Sequence, residues 1–351
     1  MFTTPPRAAR VPTVSCLLQC VVVFVAIALG LAACGSDKTG AASPRPSSVH
    51  SGQSAFPVTV AHKYGSTRIT AQPTRVVAVG LTDSEPLLAL GVKPVGVVDW
   101  FGERPYGNWP WSGKLWAGTA PEIVGERGEL NFEKIAAIRP DLILALYSDI
   151  TQEQYDTLSK IAPTVAQSKE HDDFATPWKE MTRTAGQAVG LESRANDLIA
   201  AIDKKFADVR QANPDFAGKT TAIVDPYEPG QYAVFSPNDP RSVFMSEIGF
   251  KVPDQIGQLA GPEFAAEISS ERLDIVDVDR LLFVTDASDA EARVKADPVY
   301  NRLKVAREGR ALFVPYADPP VGTALTFNSV LSIPYAIDQL VPLLKTPGSA
   351  G

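Results

Sequence analysis

Apolar positions change their spacing several times along this chain, and each change marks a different element. Residues 21–33, VVVFVAIALGLAA, are apolar without any period. Across residues 35–56, GSDKTGAASPRPSSVHSGQSAF, the apolar signal gives way to Ser, Gly, Ala and Pro. It returns as short alternating runs. Val58–His62 and residues 67–70 predict a hairpin around a Tyr64-Gly65-Ser66 turn. Pro73 resets the chain, and residues 75–79 read as a buried strand. TDSEPLLALG predicts a helix stopped by Gly91, and KPVGVVDW predicts the next strand. Strand, helix, strand is the unit of a parallel sheet.

The plan returns past the middle. TTAIVD (220–225) predicts a strand, and DPRSVFMSEIG (239–249) a helix stopped by Gly249. The best echo sets LNFEKIAAIRPDLILA (130–145) against ISSERLDIVDVDRLLFV (268–284) without a gap. Glu133 falls on Glu271, Ile135 on Leu273, Ile138 on Val276, and Asp141 on Asp279. Asn131 and Ser269 stand where helix N-caps belong, which puts each Glu in a first helical turn. A further helix and strand follow each copy, in QEQYDTLSKIAPTVAQ and in DPVYNRLKVAREGRALFVP. Between the halves, Ala195, Leu198, Ile199, Ile202, Phe206 and Val209 recur at helical spacing. They predict one long helix that breaks near Gly190 and ends at Pro214. The expected fold is α/β: two Rossmann-like three-layer lobes, 57–177 and 215–345, joined by a single long helix at 178–214. A disordered tail is expected at 346–351.

The N-terminal pattern changes the picture of where the body works. Arg7 and Arg10 precede the apolar run, as in a secretory signal spanning 1–33. The run stops at LAAC, which resembles the lipobox of bacterial lipoproteins, and this resemblance implies lipidation of Cys34. Residues 34–56 then form a flexible tether with a reach of about 25 Å. The expected location is the outer face of the cytoplasmic membrane, with the anchor on Cys34. The chain has three Cys, and none follows Cys34, so the body holds no disulfide framework and no thiolate metal site. The formal charge of −7 argues against nucleic acid, which requires a basic face. Three His, at 50, 62 and 171, form no ligand-spaced cluster, so no bare metal site is expected. No Gly-rich phosphate loop follows a strand, and no nucleophile–base pair is evident, so an enzyme is not expected.

With these segments in order, the body resembles the iron–siderophore solute-binding lipoproteins of ABC importers, the class III, helical-backbone periplasmic binding proteins. The resemblance runs from TVAHKYGSTRITAQPTRVVAV through LNFEKIAAIRPDLILA, YDTLSKIAPTV, FSPNDPRSVFMSEIGF and ISSERLDIVDVDRLLFV to DPVYNRLKVAREGRALFV. It implies a ferric chelate held between the lobes of a monomer and handed to an ABC permease dimer. The chelate is the cargo, so no resident cofactor is expected. Haem is a second candidate ligand, and an envelope-assembly lipoprotein a second candidate role. The resemblance also implies that Glu133 and Glu271 pair with the permease. The bland alternative is that each acid only complements its helix dipole.

In two-lobed α/β proteins ligands meet the carboxyl ends of strands. Those ends carry Trp100, Phe101, Arg104, Tyr106 and Tyr147 in the first half, and Tyr227, Phe235, Ser236, Asn238, Arg241, Tyr316 and Phe327 in the second. Residues 99–116, DWFGERPYGNWPWSGKLW, crowd four of five Trp into a Gly/Pro-rich run. That run reads either as an aromatic wall or as a self-packed loop. Arg241 is the leading ligand contact, because a guanidinium fork at a helix start suits an anionic chelate. A solvated helix-start arginine is the alternative.

Overall fold

A computed structural model describes residues 56–102 and 104–345; the predicted signal, Cys34, the tether to residue 55 and the 346–351 tail lie outside the described residues. Strands β1 (Val58–His62) and β2 (Gly65–Ile69) form an antiparallel hairpin. Its register pairs His62 with Gly65, so the turn is Lys63-Tyr64, one place earlier than expected.

The N-terminal lobe continues through β3 (Val76–Ala78), α1 (Ser84–Ala89), β4 (Gly96–Asp99), α2 (Gly113–Trp116), β5 (Glu122–Glu126), β6 (Glu129–Leu130), α3 (Phe132–Ala137), β7 (Leu142–Ala145), α4 (Gln152–Ile161) and β8 (Thr164–Ala166). Its six-stranded sheet runs β6-β5-β4-β3-β7-β8, parallel except at the β6 edge. Alternate residues serve opposite faces. Val76, Ala78, Leu142 and Leu144 pack into one buried cluster, and Val77, Val79, Ile143 and Ala145 into another. Two covered faces explain why these strands read as unbroken apolar runs.

Helices α5 (Trp178–Ala188) and α6 (Glu192–Ala212) connect the lobes. The break expected near Gly190 falls at that residue (φ +73°) and divides the segment into two helices. The helices cross closely at Gly186, where an added Cβ would lie 2.5 Å from the Ala195 Cβ. The 21-residue α6 makes the connection itself. Its Ala195 lies in the N-terminal core, and its Ile202, Phe206 and Val209 lie in the C-terminal core.

The C-terminal lobe comprises β9 (Thr221–Glu228), β10 (Gln231–Phe235), α7 (Pro240–Glu247), α8 (Asp254–Ala260), β11 (Ala265–Ser269), β12 (Arg280–Thr285), α9 (Ala290–Ala296), α10 (Lys304–Arg307), β13 (Ala311–Pro315), α11 (Val321–Phe327) and α12 (Ser332–Lys345). Its sheet order is β11-β10-β9-β12-β13. Between the strand expected at 220–225 and α7 the chain forms a β9–β10 hairpin that the apolar pattern does not predict. QYAVF alternates correctly, with Tyr232 and Val234 buried, and Gly230 turns the chain. The strand is too short for its pattern to stand out.

The internal repeat is physical. Ahead of β3 and β7, the Thr74 backbone N–H and hydroxyl both donate to Asp141, at 2.8 and 2.9 Å. Ahead of β9 and β12, Thr220 makes the same two bonds to Asp279, both at 2.8 Å. Helices α1 and α7 also end alike. Gly91 and Gly249 take positive φ, and the next residue bonds back five places, Val92 to Leu87 and Phe250 to Met245. Glycine occupies both positions because that backbone strains any other residue. The copies differ at the echoed acids. Glu133 starts an α-helix whose cap, Asn131, accepts from the Lys134 N–H. Glu271 starts a 3₁₀ helix (Ser270–Val276), and the Ser269 side chain makes no cap bond.

Candidate functional site

The site lies where the loops after the N-terminal strands meet α7, α11 and the start of α12. Asp83, just ahead of α1, is fully buried. Its carboxylate accepts the backbone N–H groups of Gly80, Leu146 and Tyr147 at 3.1, 2.8 and 2.9 Å. One side chain thereby fixes the loop after β3 to the loop after β7 and sets the position of Tyr147. Burial pushes the Asp83 carboxyl up to about 6, and the three amides pull against that rise.

Two residues on, Glu85 joins the lobes. Trp111 Nε1 donates to Glu85 Oε1 at 2.7 Å, and Ser329 Oγ donates a short bond to Oε2. Ser329 and Ser332 also cap the start of α12 reciprocally, each hydroxyl accepting the other's backbone N–H, at 3.0 and 2.9 Å. Glu85 therefore ties together α1, the Trp-rich loop and the last helix. Burial pushes its carboxyl up to about 7.

The Trp-rich loop is both a wall and a packed unit. Trp109 and Trp116 are buried, and Trp116 belongs to the N-terminal core beside Tyr106. Trp109 stacks on Trp111 at 5.5 Å, and both meet Phe327 edge-on across the cleft. Phe101 meets Phe327 as well, and Trp111 meets Tyr335. Arg104 lies over the Trp109 ring. Trp100 and Tyr147 pack on Phe174.

From the other lobe, Arg241 follows the α7 cap. Its Nη1 donates to buried Asp239 at 2.7 Å, and its Nε to Thr326 at 3.0 Å. Its guanidinium lies 3.8 Å from the centre of the Phe235 ring. Arg241 is thus neither a free fork nor a solvated side chain. It is ion-paired and stacked, and its Nη2 makes no hydrogen bond among the described residues. Tyr147, from the opposite lobe, lies close enough to this pair to feel both charges. Burial pushes its phenol up to about 12, the Asp239 charge adds to the rise, and Arg241 opposes it. At neutral pH the phenol keeps its proton and can donate it in a hydrogen bond.

Beside Tyr147 lies a cavity of about 80 Å³ between the lobes, lined by Thr176, Trp178, Met181, Val243, Phe264, Phe327 and Asn328 among others. Thr176 Oγ1 and Asn328 Oδ1 are buried and have no hydrogen-bond partner among the described residues. A smaller cavity at the ends of β3 and β4 is lined by Glu85, Trp100, Phe101, Tyr106, Trp109 and Phe327.

The structure therefore gathers Trp100, Phe101, Arg104, Tyr106, Tyr147, Phe235, Arg241 and Phe327 around the cleft. Ser236 is buried, with its N–H bonded to the Phe264 carbonyl at 2.8 Å. Tyr316 packs at the edge of the C-terminal core. Tyr227 is 41% exposed near the tip of the β9–β10 hairpin and lines neither inter-lobe cavity. The hairpin carries it there, because β9 runs on to Glu228, three residues past the strand end expected at 225. Asp83, Glu85, Thr176 and Asn328 were not expected. Asp83 and Glu85 looked like an ordinary helix start, and only their burial sets them apart. Glu133 and Glu271 are both exposed, on matched segments of the two lobes. Among the described residues, no group of three or more His, Cys, Asp or Glu is placed to hold a metal ion.

Comparison with known proteins fits this architecture. A protein of Bacillus subtilis described as a probable siderophore-binding lipoprotein is 30% identical over 305 residues, covering 82% of this chain and 87% of its own. A solved periplasmic solute-binding protein of Mycobacterium smegmatis matches with a TM-score of 0.73 at 34% identity, covering 82% of this chain and 97% of its own. A Streptococcus pneumoniae iron-uptake substrate-binding protein, solved with ferrichrome, matches with a TM-score of 0.70 at 26% identity over 82% of this chain and 97% of its own. The family model for periplasmic binding proteins matches residues 76–316, and the chain belongs to that family.

Proposed function

We propose that this protein is an exported receptor that captures an iron(III)–siderophore chelate between its lobes and passes it to an ABC permease. The observation that carries the reading is the cleft itself. Phe101, Trp109 and Trp111 of one lobe meet Phe327 of the other, and Tyr147 lies near enough to the Arg241–Asp239 pair to feel both charges. Aromatic walls with a few convergent polar groups suit a large chelate better than a bare ion. The ligands of its relatives add support, one being described as siderophore-binding and another solved with ferrichrome. We read the protein as a monomeric carrier with no chemistry and no resident cofactor of its own. Iron enters as cargo, already chelated. The lipobox assigns membrane anchoring to Cys34. Titration of the purified protein with ferric chelates and with haem, followed by Trp fluorescence, tests the reading. Quenching by a ferric chelate at micromolar or lower concentration is expected. A response to haem alone would transfer the assignment to haem, and silence to every probe would favour an envelope role.

The exposed acids Glu133 and Glu271 are our docking pair, one per lobe, for a two-subunit permease. The combined Glu133→Arg and Glu271→Arg variant is expected to bind ligand as before and to abolish uptake in cells. Loss of ligand binding by the purified variant would remove the docking role.

A further inference from the structure

We infer that the cleft is built for an electroneutral or singly cationic ferric chelate of the tris-hydroxamate class, and that it disfavours trianionic tris-catecholates and ferric citrates. This rests on the siderophore reading above and adds the class of chelate.

Arg241, the cleft arginine of the C-terminal lobe, already has a counter-charge. Arg241 is held by Asp239, which is only 3% exposed. Asp225 lies near enough for the Arg241 charge to act on it, and Asp286 acts on Asp225 with the opposite sign. Two carboxylates, Asp239 and Asp225, therefore offset the guanidinium charge. Arg104 lies over the Trp109 ring and makes no ion pair among the described residues. At Arg241 an incoming trianion meets a cation that is already compensated, and it approaches a buried acid of its own sign. In a desolvated cleft such like-charge contacts weigh far more than they do in water.

The inter-lobe cavity points the same way. Its lining contains no Asp, Glu, Lys, Arg or His. Its unpartnered polar atoms, Thr176 Oγ1 and Asn328 Oδ1, are neutral hydrogen-bonding groups, each on a residue 5% exposed. Whichever way the Asn328 amide is turned, a neutral partner satisfies it. Its other walls include Trp178, Met181, Val243 and Phe327, with the neutral polar groups of Tyr147 and Asn238. The space suits one methylene-and-amide arm of a ligand and not a whole chelate. Hydroxamate chelates have such arms. Three hydroxamates each give up one proton and cancel the charge of iron(III). Three catecholates give up twice as many protons and leave a trianion.

The test is a Trp-fluorescence titration of the purified protein with four iron-loaded probes: a neutral cyclic tris-hydroxamate, a linear tris-hydroxamate bearing an ammonium group, a tris-catecholate and ferric citrate. The hydroxamates are expected to bind at least about tenfold more tightly than either anion. Asp239→Asn keeps an acceptor for the Arg241 N–H while removing the counter-charge. It is expected to raise the anionic-to-neutral affinity ratio about tenfold. Asp225→Asn is expected to shift the ratio in the same direction, and it serves if the first variant does not fold. Anionic chelates that match or exceed the hydroxamates in the wild type would overturn the inference. A ratio unmoved by both substitutions would do so too. If no chelate binds, the siderophore reading itself fails and takes this inference with it.

Discussion

The starts of α1 and α7 occupy the same place in the two lobes, yet they carry opposite chemistry. Each has a buried Asp immediately ahead of its helix, Asp83 in one and Asp239 in the other. Two residues later stand Glu85 in the first lobe and Arg241 in the second. Asp83 spends its oxygens on three backbone amides and Asp239 spends its own on an arginine. Glu85 faces inward to join the lobes, whereas Arg241 sits beside the cleft. The repeat therefore supplies a frame, and function lives in what each copy does with equivalent positions. The N-terminal copy is specialised for holding loops together. The C-terminal copy is specialised for presenting a balanced charge.

The largest effect is expected from removing Asp83. Asp83→Ala leaves three buried amides without an acceptor, and each such loss costs about 1–3 kcal/mol. A fall of about 3–5 kcal/mol in unfolding free energy, read from urea denaturation, is expected. Ligand affinity should fall as well, because the Tyr147 loop loses its tether. An equal or larger stability loss from Asp239→Ala, in which only one backbone amide loses its acceptor, would erase the contrast between the two helix starts.

The next effect is a pH slope. The folded Glu85 carboxyl is raised from an ordinary value near 4.5 to about 7. Between those values the folded state holds a proton that the unfolded chain releases. The contribution to stability is therefore complete below about 4.5 and is lost as pH rises through about 7. A decline on the order of 2–3 kcal/mol between pH 5 and 8 is expected, with Asp83 adding a smaller part below about 6. Glu85→Gln keeps an acceptor for Trp111 and should flatten most of that slope. In the other lobe, burial raises Asp239 but Arg241 pulls it back, so Asp239→Asn should change the slope less. A slope unchanged by Glu85→Gln would show that the inter-lobe carboxyl does not titrate in this range.

The frame was legible in the sequence because it rests on period and punctuation. Val76–Ala78 and Leu142–Ala145 are apolar on both faces, Gly91 and Gly249 stop helices, and the 130–145 and 268–284 segments align without a gap. The cleft was half legible. Strand ends pointed to Tyr147, Phe235 and Arg241, but they could not show that Arg241 is already paired. A charge balance depends on residues brought together from distant segments, as Glu85 meets Ser329 from 244 positions away. Local pattern also misjudged short elements. The β9–β10 hairpin is held by its neighbour β11 and by cross-strand pairing, neither of which leaves a periodic trace.

The smallest expected effect tests the frame where the lobes agree. Asp141 and Asp279 clasp Thr74 and Thr220 with the same backbone and hydroxyl bonds. Both clasps lie near the surface, so water replaces much of what is lost. Asp141→Ala and Asp279→Ala should each cost only about 1 kcal/mol. The Thr220 amide also holds the Asp279 carboxyl below its ordinary value. Its contribution is therefore present above the unfolded value and is lost as pH falls. If the repeat is a true mechanical equivalence, the two substitutions should match within about 0.5 kcal/mol, and their double variant should be additive because the sites share no partner. Asp141 has one further bond, from the Arg75 backbone N–H at 2.8 Å, so any residual difference should make its loss the costlier one. A clearly costlier Asp279→Ala would mean that the second copy depends on its clasp in a way the first does not, and the equivalence would then hold in geometry but not in energy.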